Sequence, residues 1–182
     1  MVIISTDKLP KKYEKDVWDL VVASDGEFVP RLSFRESTTQ NNLTAGELEC
    51  ASPDHLNLVP VLPKRYFEIM KKQNFILALE NKKVIGFLSH IPNHYVDGLE
   101  MGMPCDYIST VIVSPENRGK GITKKLYKRL WETTDDNSLV TRTWSTNFSH
   151  LSILQHLGFN LVFLIENDRA QGIDTVYYQK IL

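Results

Sequence analysis

The sequence is poor in cysteine, in long apolar runs and in net charge, and each shortage removes a class of function. Only Cys50 and Cys105 occur, without CxxC or other metal spacing, so no disulfide framework can form and both read as reduced thiols. Without an identifiable histidine partner, Cys105 reads as a buried, inert thiol rather than a nucleophile. No window approaches the roughly 20 apolar residues of a membrane-spanning helix. The start, MVIISTDKLPKKYEKD, has no positively charged segment leading into an apolar one. The expectation is a cytoplasmic protein with no membrane partner. A formal charge of −1 and the lack of a long basic run leave nucleic acid little to hold. His90 and His94 are four apart, but Pro92 between them forbids the helix that would make them a metal pair. His150 and His156 have no carboxylate close in sequence, so no metal site is expected and none of the histidines is given a role.

What is present suits one compact domain spanning residues 1–182, since 42% of the residues are hydrophobic. Tyr13, Val17, Leu20 and Val21 recur at helical spacing and predict a helix from about residue 10 to Ala23. Gly26 and Pro30 break the chain after it. Glu36 to Leu58 is a polar stretch of the kind that forms a binding loop, a lid or a disordered segment. Pro63 opens a short helix to about Lys72. Phe75–Glu80 and Lys83–Ile91 predict a hairpin turning at Asn81-Lys82 and ended by Pro92, with Gly86 marking a bulge or close backbone approach. A loop over 93–104 leads to a strand from Asp106 to Val113. Leu139–Ser145, Asn160–Glu166 and Thr175–Leu182 read as further strands, and Ser149 can cap a short helix that Gly158 ends. The order predicts a mixed α/β sheet flanked by helices.

The chain is organised around residues 108–131, ISTVIVSPENRGKGITKKLYKRLW. A β-branched strand stops at Ser114-Pro115, and Ile122, Leu126 and Leu130 carry a helix. Between them lies Arg118-Gly119-Lys120-Gly121. Glycines let a ligand approach the backbone, and first-turn amides have no internal acceptors. With Arg118, Lys120 and Lys124 they favour a phosphate or pyrophosphate, although a solvated basic turn fits the same residues. A nucleoside-triphosphate loop needs Gly at position 114 and Ser or Thr after the Lys, where Ser114 and Gly121 stand. The dinucleotide fingerprint needs a small residue where Lys124 stands.

Val113-Ser114-Pro115 followed by Arg118-Gly119-Lys120-Gly121-Ile122-Thr123 resembles the acyl-coenzyme A pyrophosphate loop of the GCN5-related N-acetyltransferase (GNAT) family. Thr123 replaces its last small residue. Asn147 through Gly158-Phe159 keeps the family's later spacing of an Asn after the fifth strand and a short helix ending Gly-Phe. The resemblance covers residues 74–182, which would form the acetyl-CoA-binding core, and leaves residues 1–73 to shape the acceptor side. It implies a mixed, mostly antiparallel twisted sheet of six to seven strands. It also implies acetyl-CoA as acyl donor and N-acetyl transfer to a small-molecule amine or protein amino group by direct attack.

By that resemblance the fourth and fifth strands splay. Val111, Ile112 and Val113 would hold the pantetheine and thioester, and Arg118 to Lys124 the pyrophosphate, while Asn147 would orient the pantetheine. Asp106 becomes the candidate base, with Glu100 and Tyr107 near it in sequence. The family's acidic Tyr is Leu154 here, which leaves Ser145, Ser152 or a water as substitutes. Phe28, Arg31, Phe34, Arg35 and residues 93–104 would line the acceptor side. Self-association as a homodimer through the last strand is also implied. Two other readings stay open: a non-catalytic acyl-CoA sensor or interaction module, and another phosphate-ligand enzyme using the same loop.

Overall fold

A computed structural model describes residues 1–41, 43–44, 61–99 and 103–182. Cys50, Glu100, Gly102 and most of the polar stretch that continues to Leu58 lie outside the described residues. The architecture is a seven-stranded sheet in the order β1-β2-β3-β4-β5-β7-β6. Its strands are β1 Val2–Thr6, β2 Asn74–Glu80, β3 Lys83–His94, β4 Cys105–Val113, β5 Ser138–Trp144, β6 Asn160–Ala170 and β7 Ile173–Ile181. Only β4 and β5 run parallel; every other neighbouring pair is antiparallel. The described helices are α1 Lys11–Ser24, α2 Lys64–Met70, α3 Ile122–Thr133 and α4 Phe148–His156. None of them is long and apolar enough to cross a membrane.

Both faces of the central strands are buried. On β2, Ile76 and Ala78 pack toward α3 with Leu88, Ile108, Leu126 and Leu130, while Phe75 and Leu77 pack toward α1 and α2 with Val17, Val21, Tyr66 and Phe87. This is the period-2 alternation of a strand covered on each side. Full burial of each such side chain contributes about 1.5–3 kcal/mol. Cys105, Tyr107, Val140 and Tyr177 make a smaller third cluster. There the Cys105 thiol is free, and burial pushes its pKa up to about 12, so it stays protonated and unreactive.

The β2–β3 hairpin turns through Asn81 and Lys82 at φ of 50° and 65°, as a two-residue primed turn requires. A bulge follows between Ala78/Leu79 and their partners, and a Cβ on Gly86 would meet the Ile112 carbonyl at 3.1 Å. Gly86 therefore marks both a bulge and a close approach. Two expectations need correction, the end of β3 and the cap of α4, and two elements went unread. β1 is a strand that five residues on a sheet edge did not reveal. β3 runs through Pro92 to His94, because Pro is tolerated where the ladder is already irregular. Beyond the break at Gly26 and Pro30 the chain holds a 3₁₀ turn at Leu32–Phe34. Asn147, rather than Ser149, caps α4: its Oδ1 accepts from the His150 amide at 3.4 Å.

Candidate active site

Strand β4 pairs with β5 only over Asp106–Ile108 against Leu139–Thr141, yet β4 continues to Val113 and β5 to Trp144. Beyond Ile108 the two strands splay. A β4 bulge sits where they part, since Ser89 faces Thr110 and His90 faces Ile108, leaving Ser109 as the extra residue. The extra residue exchanges the faces: Ile108 and Val113 pack toward α3, whereas Ile112 packs toward α1. The gap is a cleft of about 650 Å³ lined by Ser109–Val113 on one side and Thr141–Trp144 on the other. It reaches Arg118, Gly119, Gly121, Ile122, Thr123 and Lys124 at one end and Phe28, Glu27 and Ser24 on the α1 side.

The glycine turn is built as an open cradle. Gly119 and Gly121 have φ of 74° and 72°, and a Cβ on either would meet nothing within 4 Å. Left-handed backbone here selects glycine by conformation and leaves the main chain uncovered. Gly121 is the N-cap of α3, and no side chain caps that terminus. Its first-turn amides thus remain available to an anion, which the helix dipole also favours. The residues fit a pyrophosphate.

The charged residues of the loop divide. Lys124 lines the cleft, but Lys120 does not, and its Nζ donates to Asn117 Oδ1 at 2.7 Å. Arg118 donates through Nε to the Val113 carbonyl at 3.1 Å and through Nη2 to both oxygens of Glu27 at 2.9 and 2.8 Å. Its guanidinium ties the end of β4 to the turn after α1, and its charge is already partnered.

Neither catalytic candidate lines the cleft. Asp106 is 1% exposed; one carboxylate oxygen accepts from His90 Nδ1 at 2.6 Å and the other from the Thr134 hydroxyl at 2.8 Å. It holds β3, β4 and the end of α3 together. Ser145 Oγ accepts from the Asp174 amide at 3.0 Å and so fastens β5 to β7. Leu154 is fully buried in the core. Of the described acceptor-side candidates, residues 93–99, 103 and 104 included, only Phe28 lines the cleft. Arg31 borders a separate hollow of about 210 Å³ with Phe34, and Arg35 is buried with its guanidinium on the Val29 and Pro30 carbonyls. Asn147 lines the cleft and donates to Thr143 Oγ1 at 3.0 Å.

Sequence reasoning missed His150, Arg142 and Trp144, all of which line the cleft. His150 stands one helical turn before Leu154 on the same face of α4. Its Nε2 shares a hydrogen bond of 2.8 Å with the Tyr127 hydroxyl, and burial lowers the imidazole pKa to about 4. An imidazole that protonates near 6.5 when unfolded and near 4 when folded stabilises the protein fully above about pH 6.5. That contribution is lost as the pH falls toward 4. Chemical denaturation of the wild type and His150→Gln at pH 7 and pH 4.5 should show a smaller pH-dependent loss in the variant. Parallel curves would remove this role for His150. Among the described residues no cluster of histidine, cysteine and carboxylate side chains could hold a metal.

The sequence matches the Acetyltransferase (GNAT) family over residues 44–159. The chain belongs to the GNAT family. No curated protein sequence matches it. Among solved structures it is similar to yncA from Salmonella typhimurium, solved with its cofactor acetyl-CoA, at 16% identity and a TM-score of 0.65, covering 100% of this chain and 95% of that one. It is also similar to ribosomal-protein-alanine N-acetyltransferase from Brucella melitensis, at 16% identity and a TM-score of 0.64 over 100% of both chains. Aminoglycoside 6'-acetyltransferase type Ii matches at 15% identity and 0.64, covering 100% of this chain and 97% of that one. At these identities the likeness concerns the fold, and the seven-stranded mixed sheet of this GNAT protein agrees with it.

Proposed function

We propose that this GNAT protein is an acetyl-CoA-dependent N-acetyltransferase that passes the acetyl group directly to a primary amine of a small molecule or a protein. One observation carries the reading: the gap between splayed β4 and β5 runs without interruption into the uncapped, glycine-flanked start of α3. The amides of Gly121, Ile122, Thr123 and Lys124, with the Lys124 ammonium, would receive the pyrophosphate. Main-chain groups of Val111 and the Val113 amide, which β5 leaves unpaired, would hold the pantetheine, with Asn147 across the gap; the Val113 carbonyl is already taken by Arg118. When bound, acetyl-CoA supplies the thioester carbonyl that the amine attacks. A backbone amide near Val111 or Ile112 would stabilise the charge developing on that carbonyl oxygen, because a main-chain donor is oriented before the charge appears.

Glu27 lines the cleft but is held by Arg118 beside the glycine turn, and Asp106 is engaged elsewhere. The amine's proton is therefore assigned to solvent in the open cleft. The departing thiolate needs no acid at Leu154, since an unperturbed thiol has a pKa of about 8.5. Residues 1–73 shape the acceptor side through Ser24, Glu27 and Phe28 within a single domain.

The test is a thiol-release assay over a panel of amines, beside calorimetric titration with acetyl-CoA. Saturable, amine-dependent release of coenzyme A is the expected result. Micromolar binding without release for any amine would favour the sensor alternative, and no binding would overturn both. The reading includes a cytoplasmic location, to be checked by cell fractionation. It also includes a homodimer, though not through the last strand as expected: β7 is paired on both sides by β5 and β6, so the contact would use the β6 edge, where Leu161, Val162 and Leu164 are exposed. A monomer by sedimentation velocity at tens of micromolar would exclude that contact.

A further inference from the structure

The acceptor side of the cleft carries a cation that the acetyl-transfer chemistry does not use. Along β5, Thr143 meets Asn147 on the α4 side, while Arg142 and Trp144 turn to the opposite face, the one that Phe28 covers. Arg142 lines the cleft there. Among the described residues its guanidinium donates to neutral acceptors: Nη1 to Asn41 Oδ1 at 3.2 Å and to the Tyr177 hydroxyl at 3.4 Å, and Nη2 to the Thr38 carbonyl at 3.4 Å. These distances are at the long end for hydrogen bonds. Among the described residues no carboxylate lies within salt-bridge distance of it.

Two more guanidiniums stand behind Arg142. Arg35 and Arg169 are 7% and 1% exposed, and both donate to the Val29 carbonyl. Arg169 also lies over the Trp144 ring, 5.8 Å from its centroid. Burial first, and then the neighbouring guanidiniums, lower the pKa of Arg169 to about 9; burial, with Arg142 adding to it, lowers that of Arg35 to about 10. The carboxylates that act on this group are Asp168, beside Arg169 and hydrogen-bonded by Thr175, and Asp25, hydrogen-bonded by Ser33. Among the described residues three guanidiniums against two carboxylates leave one formal positive charge, and the residue that opens to the cleft is Arg142. Burial works to lower the pKa of Arg142, but Tyr107, Tyr177 and Tyr66 outweigh it and the pKa is raised, so the group facing the cleft stays a cation, and a planar guanidinium matches a carboxylate or phosphate in bidentate fashion.

We propose that the acceptor amine belongs to a molecule bearing an oxyanion, a carboxylate or a phosphate, which Arg142 binds on the Phe28–Trp144 face of the sheet. This rests on the acetyl-transfer reading and narrows its acceptor to amino acids or amine phosphates. The tilted Phe28 and Trp144 rings, with centroids 5.7 Å apart, give the carbon skeleton an apolar wall beside the charge. The glycine turn and Lys124, at the α3 end of the same cleft, remain for the pyrophosphate.

Matched probes test the proposal: tyrosine against tyramine for a carboxylate, and phosphoethanolamine against ethanolamine for a phosphate. In the thiol-release assay the preferred anionic member should exceed its neutral partner in kcat/KM. Arg142→Gln should lower kcat/KM for that member about 100-fold, mainly through KM, and leave the neutral partner within about threefold. Arg142→Lys should restore part of the loss, and it carries the comparison if the Gln variant does not fold. Equal use of charged and neutral partners, or an equal loss for both in Arg142→Gln, would overturn the subsite and leave acetyl transfer standing. Should no amine be turned over, calorimetric binding of tyrosine and phosphoethanolamine to the coenzyme A-bound protein decides separately. Binding that depends on Arg142 supports the subsite even though the transfer reading has failed, and its absence overturns the subsite as well.

Discussion

Gly121→Asp is expected to weaken acetyl-CoA binding by at least about 100-fold, because it sets a carboxylate against the pyrophosphate and offers the α3 amides a competing acceptor. The position is sensitive for two separable reasons. Gly121 sits at φ 72°, where a side chain costs about 1–2 kcal/mol in backbone conformation. A Cβ there would also project into open space at the mouth of the cleft, so the new charge stands where the ligand should lie. Gly121→Asn separates the two effects, since Asn tolerates the left-handed region and carries no charge. We expect about a tenfold loss for Asn and a further tenfold or more for Asp, both measured calorimetrically with thermal melts as the control for folding. Equal affinities for wild type and Gly121→Asp would mean that the glycine turn is only a turn.

That turn was legible in the sequence because its chemistry is local: strand, glycines and helix start lie within residues 108–131. The β2–β3 hairpin was legible for the same reason, through Asn81-Lys82 and Gly86. Contacts that join distant segments were not. Arg118 beside two glycines reads as a phosphate ligand until Glu27, 91 residues away, is seen to hold it. Asp106 at the start of a strand reads as a candidate base until the antiparallel pairing of β3 and β4 sets His90 against it. Strand β1 contributes five residues at an edge, too few for a period to declare itself. The acceptor face is the extreme case, since Phe28, Arg142, Trp144 and Arg169 come from three regions of the chain. A charged residue between Thr141 and Thr143 in an otherwise buried strand was the one available signal. It marks Arg142 as unusual but not what the residue faces.

The Arg118–Glu27 pair also explains why the poorly recognisable first part of the chain and the recognisable core form one site. Glu27 follows α1, which packs over β3 and β4 through Val17 and Val21, so the turn bearing Phe28 is fixed relative to the glycine turn. Their side chains are about half exposed, at 46% and 49%, so the pair contributes alignment more than stability.

Asp106→Ala is expected to destabilise the fold by about 3–5 kcal/mol while leaving acetyl transfer by the folded protein within about threefold of wild type. Removing the carboxylate leaves the His90 ring and the Thr134 hydroxyl without their buried partner, where water cannot replace it. Asp106→Asn keeps the shape and one acceptor oxygen, so its loss should be about half as large. A catalytic base would behave in the opposite way, losing about 10²–10⁴-fold in rate with little change in stability. Urea denaturation and steady-state kinetics on the same preparations discriminate between the two. Position decides the matter: the cleft opens only beyond Ile108, and Asp106 lies on the paired part of β4, on the closed side of that point. A rate collapse in a fully stable Asp106→Asn variant would return the residue to the chemistry and require β4 and β5 to part further toward its start than they do in this fold.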